Sequence, residues 1–279
     1  MKKALLIISF GTSYQHTRQK NIDACEQHLA AHCRDRDLFR AFTSEMIIRK
    51  LRNRDGLLID NPRQALQRLA DEGYQDVAVQ SLHVINGDEY EKVVSEARAF
   101  SGRFQRLVLG VPLLSRFADY QQLMTALEAQ MPPLNADERV VFMGHGASHH
   151  AFSAYACLDH LMTARNFPAL VGAVESYPEI DHIIGRLQQQ GIRKVHLMPL
   201  MLVAGDHAIN DMASDDADSW KSQLEAAGIA TQSWLQGLGE NPLIRDMFSR
   251  HLDAALCPEP SCPEPLCSEP LCSEKQEVV

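Results

Sequence analysis

The chain has 279 residues, 45% of them hydrophobic and 23% charged, enough for one large domain or two small ones. Its net charge of −9 argues against the broad basic face that general nucleic-acid binding requires. No apolar run approaches the ~18 residues of a membrane span.

The opening MKKALLIISFGTS pairs two lysines with an apolar run, as a secretory signal would. The apolar part ends at Phe10 without a small-x-small cleavage site. Residues Lys3 to Ser9 are therefore read as a first buried strand, and the expected address is the cytoplasm. A helical pattern from Tyr14 to Cys33 follows, then a short strand from Leu38 to Phe42. Ser44 is a good N-cap for a helix after Thr43, and Asn61-Pro62 opens another. Strand Asp76 to Leu82, helix Asp88 to Phe100, strand Arg106 to Val111 and helix Ser115 to Gln130 complete a first half.

Met131-Pro132-Pro133 reads as the joint between halves. The pattern restarts with a strand at Val140, a helix from Phe152 to Arg165 and a strand at Leu170. A helix from Glu179 to Gln190, a strand at Lys194, a helix from His207 to Ala226 and a strand from Ala230 to Leu235 come next. Asn241-Pro242 opens a last helix that reaches about Leu256. Such alternation predicts an α/β fold with parallel sheets flanked by helices. The expected division is residues 1–132, residues 133–256 and a tail from 257 to 279.

The two halves resemble each other. Gly73 to Glu89 aligns without gaps on Gly191 to His207, with five identities in 17 positions, and Phe10-Gly11-Thr12-Ser13 matches His145-Gly146-Ala147-Ser148. A duplicated α/β unit with a cleft between its copies is implied. The match sets Phe10 against His145 and Glu89 against His207, so one asymmetric site is expected.

Three strand-like runs in the second half each end on a metal-competent side chain: His145 after VVFMG, Glu175 after LVGAV, and His207 after VHLMPLMLVAGD. Ligands in open α/β sheets bind at the carboxyl ends of strands. Two imidazoles and one carboxylate suit Co²⁺, Fe²⁺, Ni²⁺ or Zn²⁺ and leave positions open for substrate. Isolated histidines at such positions are more often structural; three equivalent strand ends are what raise a shared site. His149 and His150 are expected at a helix start facing solvent, His196 within a strand, and His83 near the cleft. There is no GxSxG elbow, Walker loop or GxGxxG after the first strand.

Seven cysteines make an odd count. Cys25, Cys33 and Cys157 are read as reduced, partly buried thiols. The remaining four belong to CPEPS-CPEPL-CSEPL-CSEKQ, a proline- and glutamate-rich repeat that cannot build a core. It is read as a spacer, with soft-metal handling as the alternative.

The motifs ISFGTS, GHGASHHA, VESYP and PLMLVAGDHAIND, in this order, resemble the anaerobic sirohydrochlorin cobaltochelatases, which are class II chelatases; the likeness covers residues 1–256. It implies two pseudo-symmetric chelatase-type domains, a cleft for a tetrapyrrole, and insertion of Co²⁺ into sirohydrochlorin without ATP. It further implies His145, Glu175 and His207 as metal ligands and His145 as the base toward the macrocycle. From the pseudo-symmetry, Glu89 is expected to relay a proton or contact the ring, Phe10 to pack on it, and Ser13 to bind a peripheral carboxylate. A polycarboxylate substrate sits uneasily with an acidic chain, so a local basic rim is expected from Arg18 or from Arg49, Lys50, Arg52 and Arg54, a cluster otherwise readable as a solvated helix face. The alternatives are a ferrochelatase on sirohydrochlorin or a porphyrin, and a metal or tetrapyrrole carrier using the tail. No nucleic-acid or membrane partner is expected, and a homo-oligomer is compatible with the sequence.

Overall fold

Two runs of alternating strands and helices build two similar sheets. A computed structural model describes residues 1–257; the repeat beyond Cys257 lies outside the described residues. Strands β1 (Lys3–Ser9), β2 (Asp37–Phe42), β3 (Asp76–Ser81) and β4 (Arg106–Gly110) form one sheet in the order β2-β1-β3-β4. Strands β5 (Glu138–Gly144), β6 (Ala169–Ala173), β7 (Lys194–Pro199) and β8 (Ala230–Ser233) form the other, in the order β6-β5-β7-β8. Every pairing is parallel. The halves therefore share one topology, and the sequence match carries through to matching strand bounds. β1 maps on β5 at an offset of 135 residues and β3 on β7 at 118.

Each central strand is buried on both faces, which is why β1 and β5 read as largely continuous apolar runs rather than alternating ones, while β3 buries Asp76, Gln80 and Ser81 and β7 buries His196 among its apolar residues. Buried residues of β1 and β3 (Leu5, Ile7, Ala78) and of β5, β6 and β7 (Val140, Phe142, Val171, Met198) belong to one apolar cluster that runs through both lobes. Chain direction reverses sides at β1 and β5, and the crevice opened there is the usual ligand position in such sheets.

The helices are α1 (Gln15–Arg18), which passes through a π-helical turn at Gln19–Asp23 into α2 (Ala24–His32), then α3 (Glu45–Asp55), α4 (Pro62–Asp71), α5 (Asp88–Phe100) and α6 (Phe117–Glu128). The second half contributes α7 (Ser153–Ala164), α8 (Ile180–Gln189), α9 (Trp220–Ala226) and α10 (Pro242–Leu256). Caps expected from sequence are formed. Ser44 accepts from Ile47 N–H, and Asn61 and Gln64 make a reciprocal capping box.

Two expectations are corrected. The helix expected from His207 to Ala226 is two pieces: the first ends in a π-helical turn at Ala208–Met212, and α9 starts only at Trp220. Ser214, Asp215, Asp216, Asp218 and Ser219 are poor helix formers that favour local turns. Ser219 caps α9 at Ser222 N–H, and the break lets Trp220 bury itself (4% exposed) against Gly172. Cys157 is exposed, unlike Cys25 and Cys33. Finally, α10 follows the second sheet in sequence but packs on β3, β4, α2 and α6 of the first lobe. His251 bonds Asp119 at 3.0 Å and Asn241 donates to the Ala126 carbonyl at 2.7 Å, tying the lobes together.

Candidate metal centre

Three loops at the carboxyl edge of the second sheet converge. β5 ends at Gly144, and Gly146 takes φ +90°, a left-handed conformation that favours glycine. A Cβ at Gly146 would lie 2.8 Å from Ser176 Oγ and 2.9 Å from Glu175 N. The closeness comes from main-chain pairing of the two loops: Glu175 N–H donates to the His145 carbonyl at 3.0 Å, and Val174 N–H to that of Gly144 at 3.0 Å. The β5 and β6 loops are thus zipped by main-chain bonds that bring His145 beside Glu175. Gly11 repeats the conformation after β1, with φ +94°.

His207 arrives from the loop after β7 on a short helical segment. Its ring meets that of His145 edge-on, with centroids 4.5 Å apart and planes at 88°. One donor atom from each of His145, Glu175 and His207 lies within 4.8 Å of the others. All three remain partly accessible, with side-chain exposures of 41%, 52% and 34%, as an exchangeable metal requires. The rings are oriented from behind. His207 Nδ1 lies 2.5 Å from Asp211 Oδ2, four residues on, and His145 Nδ1 lies 3.1 Å from the Gly146 carbonyl. A carboxylate or carbonyl oxygen only accepts, so each Nδ1 carries the hydrogen and each Nε2 keeps its lone pair for a cation.

Comparison with known proteins gives the family. A family model described as cobalt chelatase (CbiK) matches residues 3–257. The chain belongs to the CbiK cobalt chelatase family. It is 70% identical over 256 residues to the sirohydrochlorin cobaltochelatase of Salmonella typhimurium, covering 92% of this chain and 97% of that one. It is 36% identical over 262 residues to the sirohydrochlorin cobaltochelatase CbiKC of Nitratidesulfovibrio vulgaris, covering 91% of each. Among solved structures, SirB of Bacillus subtilis with Fe³⁺ superposes with a TM-score of 0.60 at 14% identity, over 91% of this chain and 96% of that one. A multi-domain Deinococcus radiodurans protein with structural similarity to chelatases gives 0.56 at 13%, over 88% and 53%. Both show the chelatase fold.

The first lobe of this CbiK-family chain holds the other residues expected at the site. Phe10, the counterpart of His145, is 41% exposed at the end of β1. Ser13 is 5% exposed, and its carbonyl accepts from Arg54 Nη2 at 2.5 Å. Glu89 lies in the first turn of α5, where Oε1 accepts from Lys92 at 2.5 Å and Oε2 is buried without a partner. It stands outside the three-residue donor cluster. Nearby His83 bonds Ser81 Oγ at 2.8 Å, and burial pushes its pKa down to about 4.

His149, expected to face solvent, instead bridges the lobes: its Nε2 lies 3.1 Å from Glu91 on α5. Asp88, Glu91 and His149 also bring donor atoms within 4.8 Å. His149 Nδ1, however, accepts from Ala151 N–H at 3.2 Å. Nε2 therefore bears the hydrogen and donates to Glu91, so the group works as an inter-lobe bond. His196 is packed in β7 between Glu138 and Trp234, and its hydrogen bond holds the Glu138 carboxyl at about 2.

Two residues escaped the sequence reading. Asp211 orients His207, and its i, i+4 spacing within GDHAIND was the available signal. Tyr14 donates to Asp206 Oδ1 at 2.9 Å, across 192 residues, with no local signal at all. Two surface hollows of about 540 and 400 Å³ lie elsewhere, and neither includes a ligand residue. The centre is an open cleft edge.

Proposed function

We propose that this chelatase inserts Co²⁺ into sirohydrochlorin without nucleotide hydrolysis, using His145, Glu175 and His207 to hold the metal before transfer. The observation that carries the reading is the pair of edge-on, half-exposed imidazoles with one carboxylate, in a chain 70% identical to a sirohydrochlorin cobaltochelatase.

The chemistry balances on these residues. Insertion exchanges two pyrrole N–H protons for one dication. As the metal passes to the ring nitrogens, the two Nε2 atoms it leaves regain lone pairs beside the two protons to be removed. Charge on the protein site is then unchanged, because two imidazolium groups replace one dication while Glu175 stays anionic. The macrocycle core is neutral before and after. No step builds charge that ATP would have to drive.

Phe10 offers an exposed aromatic face to the macrocycle, and Glu89, with one unpartnered oxygen, serves as an acceptor from the opposite lobe. The donor set accepts Fe²⁺ as well as Co²⁺, so metal supply sets the product. Among the described residues no helix is long and apolar enough to cross a membrane, and the proposed setting is the cytoplasm.

The test is the anaerobic rate of metal insertion into sirohydrochlorin, followed by absorbance, with Co²⁺ and Fe²⁺ supplied separately. Rates above background that collapse in His145→Ala support the reading. Absence of any rate above background with either metal overturns it. Removal of residues 257–279 should leave turnover intact; loss of metal delivery would favour a tail-dependent carrier.

A further inference from the structure

Helix α3 stands at the edge of the cleft with its cations unspent. Ile47, Ile48 and Leu51 face inward and pack with Ile22, Phe42, Leu202 and Val203. That packing fixes the opposite face: Met46, Arg49 and Lys50, at i, i+3 and i+4, share one exposed stripe. Met46 is 63% exposed, which leaves a large apolar side chain on the surface beside the two cations. Arg49 and Lys50 enter no ion pair among the described residues. Arg54, in contrast, is tied to Asp55 at 2.6 Å, and Glu45 accepts from Asn61 Nδ2 at 2.8 Å. Acidic neighbours on the helix are thus committed elsewhere.

A chain of contacts runs from this stripe to the metal centre. Ser44 N–H, at the start of α3, donates to the Phe10 carbonyl at 3.3 Å. Lys50 Nζ lies 5.9 Å from the Tyr14 ring centroid, and Tyr14 bonds Asp206, the residue before ligand His207. Behind α3, Arg18 is 8% exposed with Nε and Nη1 unpartnered, and its charge acts on Asp55. In a chain of net charge −9, this corner is locally cationic and lies one loop from the ligands.

We infer that the exposed stripe of α3 is the lip that recognises the tetrapyrrole substrate: Arg49 and Lys50 pair with its peripheral carboxylates, and Met46 lies against the macrocycle edge. The inference rests on the sirohydrochlorin reading above. Charged rims steer an anionic ligand and fix its register while the chemistry is left to other groups. The lip therefore acts on substrate capture and orientation, and leaves the metal ligands untouched.

The experiment compares the full chain with Arg49→Glu/Lys50→Glu and with a remote, charge-matched control, Arg103→Glu/Arg193→Glu. Direct binding of sirohydrochlorin, steady-state KM and kcat, and Co²⁺ affinity without tetrapyrrole are measured from low to high salt. The lip predicts at least a tenfold rise in Kd and KM for the α3 variant at low salt, with a weaker salt dependence. Its kcat and its Co²⁺ affinity should stay within about twofold of the parent, and the control should bind like the parent. Binding by the α3 variant equal to the parent, or an equal loss in the control, overturns the lip alone. A parent chain that neither binds nor metallates sirohydrochlorin overturns the functional reading and the lip with it.

Discussion

Asp211 Oδ2 sits 2.5 Å from His207 Nδ1, one turn further along the same helical segment. The carboxylate fixes which nitrogen of this proposed metal ligand is free, so metal affinity should depend partly on a residue outside the donor set. Replacement Asp211→Ala should weaken Co²⁺ binding and slow insertion by about 10- to 100-fold. Asp211→Asn, whose amide oxygen still accepts from Nδ1–H, should recover a substantial part of both. Metal titration of the purified variants, with circular dichroism to show retained fold, checks the pair; equal losses in both would assign Asp211 a purely electrostatic role.

The two imidazoles are not interchangeable with the carboxylate. On the proposed roles, His145→Ala and His207→Ala each remove a ligand and a proton acceptor, and insertion should fall by about 10² to 10⁴. Glu175→Gln keeps both acceptors and an oxygen ligand, and the loss should stay nearer 10- to 100-fold, chiefly at low metal concentration. Initial rates across a Co²⁺ series separate these cases.

Backbone geometry gives a sharper contrast. Gly146→Ala must place a Cβ 2.8 Å from Ser176 Oγ at φ +90°, and should cost about 1–3 kcal/mol together with metal affinity, because the zip between His145 and Glu175 opens. Gly185→Ala, in the middle of α8 with nothing within 4 Å of the new methyl group, should stabilise by up to about 1 kcal/mol and leave activity alone. Denaturant unfolding of the two variants reads the difference.

Burial holds His83 at about 4, against an ordinary value of 6.5. Between those values the unfolded chain binds a proton that the folded chain refuses, so stability rises with pH across the window. Acidification from pH 6.5 to 4 should therefore remove about 2–3 kcal/mol through this residue. The His83→Gln variant should show a flatter stability profile over the same range; an unchanged profile would show that His83 titrates normally.

Much of this protein was written locally. The strand Lys3–Ser9, the caps at Ser44 and Asn61 and the placing of His145 and Glu175 just past β5 and β6 follow from short-range signals, namely apolar runs, cap residues and glycine punctuation, whereas the run expected to carry a strand up to His207 stops as a strand at Pro199. The internal repeat extended that reach, since matching Phe10 to His145 and Glu89 to His207 sets both sheets in one register. Tertiary structure decided what depended on distant partners. The seating of Trp220 against Gly172 is one such case, and α10 crosses to the first lobe because its apolar face completes the core beside β3 and β4. Tyr14 reaches Asp206, and His149 reaches Glu91, across the lobe boundary. A sequence states which side chains a strand end will present. Only the tertiary structure brings those side chains to one place, because His145, Glu175 and His207 come from three separate loops that the pairing of β5 with β6 and β7 sets side by side.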